Sequence, residues 1–305
     1  MKTNQKKEIQ ELKKEKDAVI LAHNYQLPEI QDIADYVGDS LYLAQIATKV
    51  SSKHIIFCGV NFMVETAKIL NPEKTVIHPS TDAICPLAEM VDVESLKWFQ
   101  EDHPDAATVS YVNTTAEVKA VSDICCTSSN AVKIIKNIKE KEIIFIPDRN
   151  LGLYVKRFIK DKNIILWPGI CPTHHSRIKR EDILKLKEEH PKAEIIVHPE
   201  CQPEVIDIAY QVFSTNGMVR YVSQSKKNEF IIGTEKELCY RLRKENPEKK
   251  FYPVATAICP NMKKITLDKV MKSLKNLEPI LNLPSDIIEK ARRPLIKMIE
   301  IGRGD

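Results

Sequence analysis

The segment Ala18–Tyr25, with the sequence AVILAHNY, decides the fold because its pattern occurs two more times along the chain. Ala106–Asn113 reads AATVSYVN and Ala193–Glu200 reads AEIIVHPE, so the three copies begin 88 and 87 residues apart. Each copy is a short apolar run that ends in polar residues, a pattern typical of a buried strand with functional groups at its end. A period of this length over 305 residues indicates an internal triplication.

Further residues keep the same register in all three copies. One polar residue ends each strand, a second follows two residues later, a hydroxyl residue stands 17 residues after the first, and a Cys-Pro dipeptide closes each copy. In this order, the sets are His23, Tyr111 and His198; Tyr25, Asn113 and Glu200; Ser40, Ser128 and Thr215; and Cys85, Cys171 and Cys259. The cysteines follow the first polar residue by 62, 60 and 61 positions, and so many matching spacings argue against chance.

Alternation of short apolar runs with amphipathic stretches predicts parallel sheets covered by helices. The predicted strands are Ala18–Ala22, Ile55–Phe57, Thr108–Val112, Ile143–Ile146, Ile164–Trp167, Ile195–Val197 and Phe230–Ile232. The predicted helical segments include Ile30–Val37, Ala131–Ile138 and Ile183–Glu189, with Lys6–Lys16 and Leu267–Ile301 as caps outside the repeat. We therefore expect an α/β protein of three homologous three-layer α/β/α domains around a pseudo-threefold axis. The expected domains are residues 1–90, 91–176 and 177–305.

The composition is that of a soluble globular protein, with 43% hydrophobic and 29% charged residues. The net charge is +4, but Lys and Glu are interleaved along the chain, which argues against a nucleic-acid partner. The N-terminus lacks the apolar stretch of a signal peptide, and no apolar run approaches the roughly 20 residues that span a bilayer. We expect a cytoplasmic protein without membrane contact. With eight glycines and no GxGxxG or Walker pattern, the usual nucleotide folds are not indicated.

Eight cysteines in a reducing compartment argue against structural disulfides. Five of them break the repeat, and we interpret these as core or near-site thiols: Cys58, Cys125, Cys126, Cys201 and Cys239. The predicted symmetry brings the three Cys-Pro cysteines together, with one thiolate from each domain. Such widely spaced ligands favour an iron–sulfur cluster with one iron open to substrate. Zinc, which usually takes CxxC pairs and four protein ligands in structural sites, is the alternative.

Ligands of parallel α/β sheets bind beyond the carboxyl ends of the strands, so the strand-end residues are expected to converge near the axis. A structural role is the alternative interpretation for any single His or Tyr there. Three residues are predicted N-caps of helices whose N-termini together form an anion site: Ser40, Ser128 and Thr215. Tyr25 and Glu200 share one repeat position and can exchange protons, which predicts proton transfer. For His174, the sequence favours neither a place in the pocket nor a place in solvent.

Five segments that contain these residues resemble the signature segments of the quinolinate synthase family: Leu21–Gln26, Gly38–Ser40, Tyr111–Asn113, His198–Cys201 and Cys259–Lys263. The resemblance implies the triplicated fold and one 4Fe–4S cluster. It also implies a transferase of NAD biosynthesis, which condenses iminosuccinate with dihydroxyacetone phosphate to give quinolinate, phosphate and water. L-aspartate oxidase or aspartate dehydrogenase would supply the iminosuccinate.

By position, the resemblance implies cluster ligands at Cys85, Cys171 and Cys259, with the open iron as a Lewis acid. It implies catalytic roles for Tyr25, Glu200, His198 and His23. It implies substrate contacts at His23, Ser40, Tyr111, Asn113, Ser128, His198, Glu200 and Thr215. Some members carry a CxxCxxC thiol switch around the last ligand, but Met262 excludes that switch here. Two alternatives are an aconitase-type iron–sulfur hydro-lyase on another small carboxylate and an iron- or redox-sensing binding protein.

Overall fold

A computed structural model describes the chain over residues 2–305, with side chains from residue 5 onward. Its strands are β1 Ala18–His23, β2 Tyr36–Gly38, β3 His54–Cys58, β4 Thr75–Ile77, β5 Ala107–Tyr111, β6 Ile124–Cys126, β7 Glu142–Ile146, β8 Asn163–Leu166, β9 Glu194–Val197, β10 Gln211–Val212, β11 Glu229–Gly233 and β12 Lys250–Pro253.

The α-helices connect these strands and cover the sheets. They are α1 Lys2–Glu15, α2 Pro28–Gln31, α3 Ser40–Ala47, α4 Asn61–Leu70, α5 Val93–Glu101, α6 Ala116–Ala120, α7 Ala131–Asn137, α8 Arg149–Lys156, α9 Arg180–Glu189, α10 Pro203–Ile206, α11 Thr215–Gln224, α12 Leu238–Glu245, α13 Leu267–Asn276 and α14 Ser285–Ile301. Single helical turns follow the Cys-Pro dipeptides at Ala88–Met90, Pro172–Ser176 and Met262–Lys264.

The twelve strands form three parallel four-stranded sheets of identical topology, with the orders β2-β1-β3-β4, β6-β5-β7-β8 and β10-β9-β11-β12. The register is conserved as well, because Leu21 pairs with Phe57, Val109 with Phe145 and Ile196 with Ile232. The central strands are buried, as their apolar sequences require in a sheet covered on both faces. The predicted fold of three homologous α/β/α domains is therefore confirmed. Each sheet lies within one of the three predicted ranges, whose boundaries stay a prediction.

All seven predicted strands are present, at β1, β3, β5, β7, β8, β9 and β11. The five that the sequence did not reveal have two to four residues each, and they lie at the edges of the sheets. The expected helix Ile30–Val37 is wrong. Helix α2 ends at Gln31, and Tyr36 pairs with Leu21 as part of β2. The Asp35 carboxylate explains the extended chain here, because it accepts a hydrogen bond of 2.8 Å from the Ile20 N–H.

The terminal helices pack on the first two sheets. Helix α1 packs along α13 and β1, while α14 packs on α4, α6 and β6. Ala291, Leu295 and Met298 of α14 are fully buried there. Each buried Leu or Met contributes roughly 2 kcal/mol to folding, which anchors this last helix. Among residues 2–305, no helix combines the length and the apolar character that a membrane crossing requires.

Candidate active site

Equivalent residues of the three repeats surround one cavity of about 120 Å³. It lies beyond the carboxyl ends of the inner strands, since His23 and Tyr111 end β1 and β5, and His198 directly follows β9. All twelve residues that the repeat singles out line it: His23, Tyr25, Ser40, Cys85, Tyr111, Asn113, Ser128, Cys171, His198, Glu200, Thr215 and Cys259. His174, which the sequence left open, lines it as well. Their individual roles stay predictions.

The three hydroxyl residues line the cavity, but they are not the N-caps that the sequence predicted. The side chain of Asp39 caps α3 by accepting a hydrogen bond from the Tyr42 N–H, and Ser214 caps α11 in the same way. Ser40 and Thr215 are the first helical residues. Ser128 lies two residues before Asn130, which precedes α7. In α3 and α11 the preceding residue is therefore the cap, so the hydroxyls of Ser40 and Thr215 are not needed for capping. The side chain of Asn130 makes no capping bond to α7.

Tyr25, Thr234 and His174 form a buried hydrogen-bonded group at one end of the cavity. The Tyr25 hydroxyl lies 2.7 Å from Oγ1 of Thr234 and 3.3 Å from Nε2 of His174. Thr234 Oγ1 in turn lies 2.9 Å from the same His174 nitrogen. Thr234 was missed in the sequence, because it directly follows β11 at a position where the other repeats have Gly59 and Pro147. These contacts provide a continuous path for proton exchange between a phenol and an imidazole.

Glu200 is the buried acid of the site. Its Oε2 lies 2.5 Å from Nδ1 of His174 and 3.6 Å from Nδ1 of His198. Burial alone would raise the pKa of Glu200, but His174 and then His198 outweigh it and lower the pKa to about 2. The carboxylate is therefore ionised at neutral pH.

Three further buried groups are held in their neutral forms: His23, His198 and Tyr25. Burial lowers the pKa of His23 to about 4, and burial followed by the charge of His174 lowers that of His198 to about 3. Burial, with Glu200 as the next cause, raises the pKa of Tyr25 well above its usual value. Neutral imidazoles can accept protons and a neutral phenol can donate one, so the site contains both kinds of group. Oδ1 of Asn113 is buried with no hydrogen-bond partner in the described chain, which leaves it free for a ligand.

Each Cys-Pro loop is attached to its domain by two hydrogen bonds. The backbone N–H of each cysteine donates to a side-chain oxygen: Cys85 to Asn61 at 3.0 Å, Cys171 to Asp148 at 2.9 Å, and Cys259 to Glu235 at 3.3 Å. The carbonyl two residues before each cysteine accepts from a backbone N–H: Ala83 from Asn61 at 2.9 Å, Gly169 from Arg149 at 2.8 Å, and Ala257 from Lys236 at 2.9 Å. We call these paired bonds the loop clamps.

Asn61, Asp148 and Glu235 were missed in the sequence. Asp148 and Glu235 occupy equivalent positions 87 residues apart, whereas Asn61 lies one residue later in its repeat, at the position of Arg149 and Lys236. The cysteines follow the three acceptors by 24, 23 and 24 residues. The signal was present in these spacings. It was obscured because the three residues are of different types, and only their shared side-chain oxygen is repeated. Asp148 and Glu235 have no exposed surface.

The five cysteines outside the repeat are fully buried. They belong to the hydrophobic clusters of the three domains, as expected for core thiols: Cys58, Cys125, Cys126, Cys201 and Cys239. None of these five lines the cavity, whereas Cys85, Cys171 and Cys259 all do.

The cavity can hold a metal. Sγ of Cys171, Nδ1 of His174 and a carboxylate oxygen of Glu200 lie within 4.8 Å of one another. Burial raises the pKa of the Cys85 thiol to about 12, and Cys85, Cys171 and Cys259 line the same cavity. One free thiol from each repeat, without a fourth in the lining, is a soft donor set that fits an iron–sulfur cluster.

Fold and site together define a triplicated α/β enzyme with three thiols and polar strand-end residues around one cavity. Residues 7–300 match the family described as quinolinate synthetase A protein. The chain is 55% identical over 295 residues to the quinolinate synthase of Thermodesulfovibrio yellowstonii, covering 96% of this chain and 97% of the relative. It is 51% identical to the enzyme of Caldicellulosiruptor saccharolyticus (97% and 98% covered) and 50% identical to quinolinate synthase 1 of Methanosarcina acetivorans (97% and 97%). The chain belongs to the quinolinate synthase family.

Proposed function

We propose that this enzyme condenses iminosuccinate with dihydroxyacetone phosphate to form quinolinate, phosphate and two molecules of water. The single observation that carries the proposal is the convergence of equivalent residues from three repeats on a cavity with three thiols, in a chain of this family. One carbon–carbon bond and one carbon–nitrogen bond form, and the phosphate ester bond breaks. The overall reaction needs no oxidant or reductant.

Both substrates are anionic, and the cavity offers polar groups suited to anions. Ser40 and Thr215 begin α3 and α11, where free backbone N–H groups and the helix dipole favour negative charge. The Asn24 side-chain amide donates to Oγ1 of Thr215 at 2.8 Å. Because Asn24 is the donor, the Thr215 hydroxyl keeps its own hydrogen for an acceptor such as a carboxylate or a phosphate. We assign substrate binding to His23, Ser40, Tyr111, Asn113, Ser128, His198, Glu200 and Thr215.

Proton transfers are assigned to the buried group around Glu200. Condensation, isomerisation and ring closure each require a proton to leave carbon or to reach a departing oxygen. Tyr25 is the donor in this account because its hydroxyl is neutral and hydrogen-bonded to Thr234 and His174. Glu200 is ionised, and its Oε2 lies 2.5 Å from Nδ1 of His174, which holds that ring in place. His198 and His23 are neutral and serve as acceptors.

Cys85, Cys171 and Cys259 would hold a 4Fe–4S cluster. When bound, its open iron supplies a Lewis acid that makes a substrate hydroxyl a better leaving group in dehydration. We place the reaction in NAD biosynthesis in the cytoplasm, with L-aspartate oxidase or aspartate dehydrogenase as the source of iminosuccinate.

The test is an anaerobic assay of the cluster-loaded protein with freshly generated iminosuccinate and dihydroxyacetone phosphate. We expect quinolinate and phosphate in a one-to-one ratio, and neither product when one substrate is omitted. A hydro-lyase would act on a single small carboxylate without releasing phosphate. Absence of quinolinate from a protein with a full complement of iron and sulfide would overturn the proposal.

A further inference from the structure

The three loop clamps share one arrangement although their residues differ. In each repeat, a side-chain oxygen that follows the third strand accepts the N–H of a cavity cysteine: Asn61 after β3, Asp148 after β7 and Glu235 after β11. The acceptor is the amide of an asparagine in the first repeat, and a carboxylate in the second and third. All three repeats therefore keep a hydrogen-bond acceptor for the cysteine N–H, but not a charge.

Each acceptor is fixed by further bonds. The second oxygen of Asp148 accepts the Leu151 N–H at 2.7 Å and caps α8. The second oxygen of Glu235 accepts the Glu237 N–H at 2.9 Å, and its first oxygen pairs with Nζ of Lys263 at 2.8 Å. Asn61 is the first residue of α4. The acceptors are thus part of the domain framework, and the loops attach to them.

The consequence for the thiols follows from the geometry of the backbone. The N–H and the side chain of a cysteine share one Cα, so fixing the N–H limits the directions in which Sγ can point. Proline follows each cysteine and restricts the backbone on the other side. Because each cysteine N–H already donates to a carboxylate or amide oxygen, it is not available to the sulfur atoms of a bound cluster. Hydrogen bonds to those sulfur atoms would change the reduction potential of the cluster.

We propose that Asn61, Asp148 and Glu235 are positioning residues that orient the three thiols for the cluster before it binds. The inference rests on the proposed cluster and goes beyond the three ligands to the residues that hold them. Preorganised ligands lose less conformational freedom on binding, so the cluster forms more completely and leaves more slowly.

Asp148 offers the sharpest test, because one substitution can remove its bond to the Cys171 N–H and keep its helix cap. Asp148→Ser keeps a good helix cap for α8 but is too short to reach the Cys171 N–H. Asp92→Ser is the matched control, since Asp92 caps α5 through the Ser95 N–H at 2.8 Å and is exposed.

The experiment has two readouts besides activity. Hydrogen exchange of the Cys171 amide is measured in the anaerobic apoprotein, and the release of iron to a chelator is measured after reconstitution with iron and sulfide. Asp148→Ser should accelerate both the exchange and the iron release at least about tenfold, as expected when a hydrogen bond of roughly 1.5 kcal/mol to a carboxylate is lost. Asp92→Ser should remain within twofold of the unmodified protein in both measurements.

Two results overturn the inference: Asp148→Ser retaining its cluster as long as the unmodified protein, or the cap variant Asp92→Ser losing it as fast as Asp148→Ser. Thermal unfolding of Asp148→Ser and Asp92→Ser identifies any general loss of stability. If the unmodified protein takes up no cluster at all, the proposed function fails instead, and that outcome is distinct because it does not depend on any substitution.

Discussion

Oε2 of Glu200 lies 2.5 Å from Nδ1 of His174, so the strand-end acid of the third repeat is paired with the loop that carries Cys171. The His174 ring also stacks on His198, with 4.4 Å between ring centroids. Both side chains are almost completely buried, where a carboxylate without a partner would be costly. The second and third repeats are therefore joined at the proposed reaction centre by a short contact between the His174 ring and the Glu200 carboxylate.

Tyr25→Phe removes the hydroxyl that lies between Thr234 and His174 while keeping the ring. We expect turnover to fall by about 10²- to 10⁴-fold, the usual contribution of a general acid or base. Quinolinate affinity, measured by calorimetry on the anaerobic protein, should change less than about threefold if Tyr25 acts mainly in proton transfer. Unchanged turnover would remove Tyr25 from the mechanism.

Thr234→Val tests whether Thr234 orients the phenol. Valine has nearly the same shape but cannot accept the 2.7 Å hydrogen bond, so the buried Tyr25 hydroxyl is left with His174 alone. We expect the free energy of unfolding to fall by about 1–3 kcal/mol and turnover to fall less than in Tyr25→Phe. Thr234→Ser restores the hydroxyl and should recover most of the turnover. A valine variant as active as the serine variant would contradict this role.

Arg303→Gln tests the ion pair that ties the end of the chain to the start of α3. The Arg303 guanidinium donates to both carboxylate oxygens of Asp39, at 3.1 and 2.8 Å. Burial alone would raise the pKa of Asp39, but Arg303 outweighs it and lowers the pKa below the usual value. We expect the substitution to lower the free energy of unfolding by about 2 kcal/mol at pH 7.

The pH dependence of that difference follows from the sign of the shift. A carboxylate with a lowered pKa in the folded state stabilises the protein fully above its unfolded pKa, about 3.9, and loses this contribution as pH falls through the folded value. The difference in the free energy of unfolding between the unmodified protein and Arg303→Gln should therefore be largest above about pH 5. It should become smaller below about pH 4. Arg293→Gln, on the exposed side of α14, serves as control. An increase in this free-energy difference on acidification would contradict the stabilising ion pair between Arg303 and Asp39.

Long, buried elements could be predicted from the sequence because their apolar patterns are strong. Five of the six edge strands could not, since they are short: β10 has only two residues and β2 only three. The N-caps were misplaced because Asp39-Ser40 and Ser214-Thr215 each offer two adjacent residues able to cap, and the pattern does not say which one is used. Only the three-dimensional structure resolves such a one-residue choice.

The site residues could be predicted where polar or cysteine residues recur at equivalent positions of all three repeats. His174 could not, because its place depends on how closely the second and third repeats approach, and no periodicity reports that distance. Asn61 and Asp148 escaped notice because the repeat conserves their hydrogen-bonding role and not their residue type. An internal repeat in a sequence therefore reveals residues of the same type more readily than different residues that make equivalent hydrogen bonds.

The central claim is that one cysteine from each repeat holds the cluster, and the most direct test replaces each of the eight cysteines by serine. The measurement is anaerobic iron and sulfide analysis, with visible absorption of each purified protein. Cys85→Ser, Cys171→Ser and Cys259→Ser should each lose the cluster, whereas the core variants at Cys58, Cys125, Cys126 and Cys239 should retain about four irons and four sulfides per chain. Cys201, next to Glu200, is analysed alongside them. An indispensable cysteine among those four core positions, or zinc in place of iron, would contradict the account.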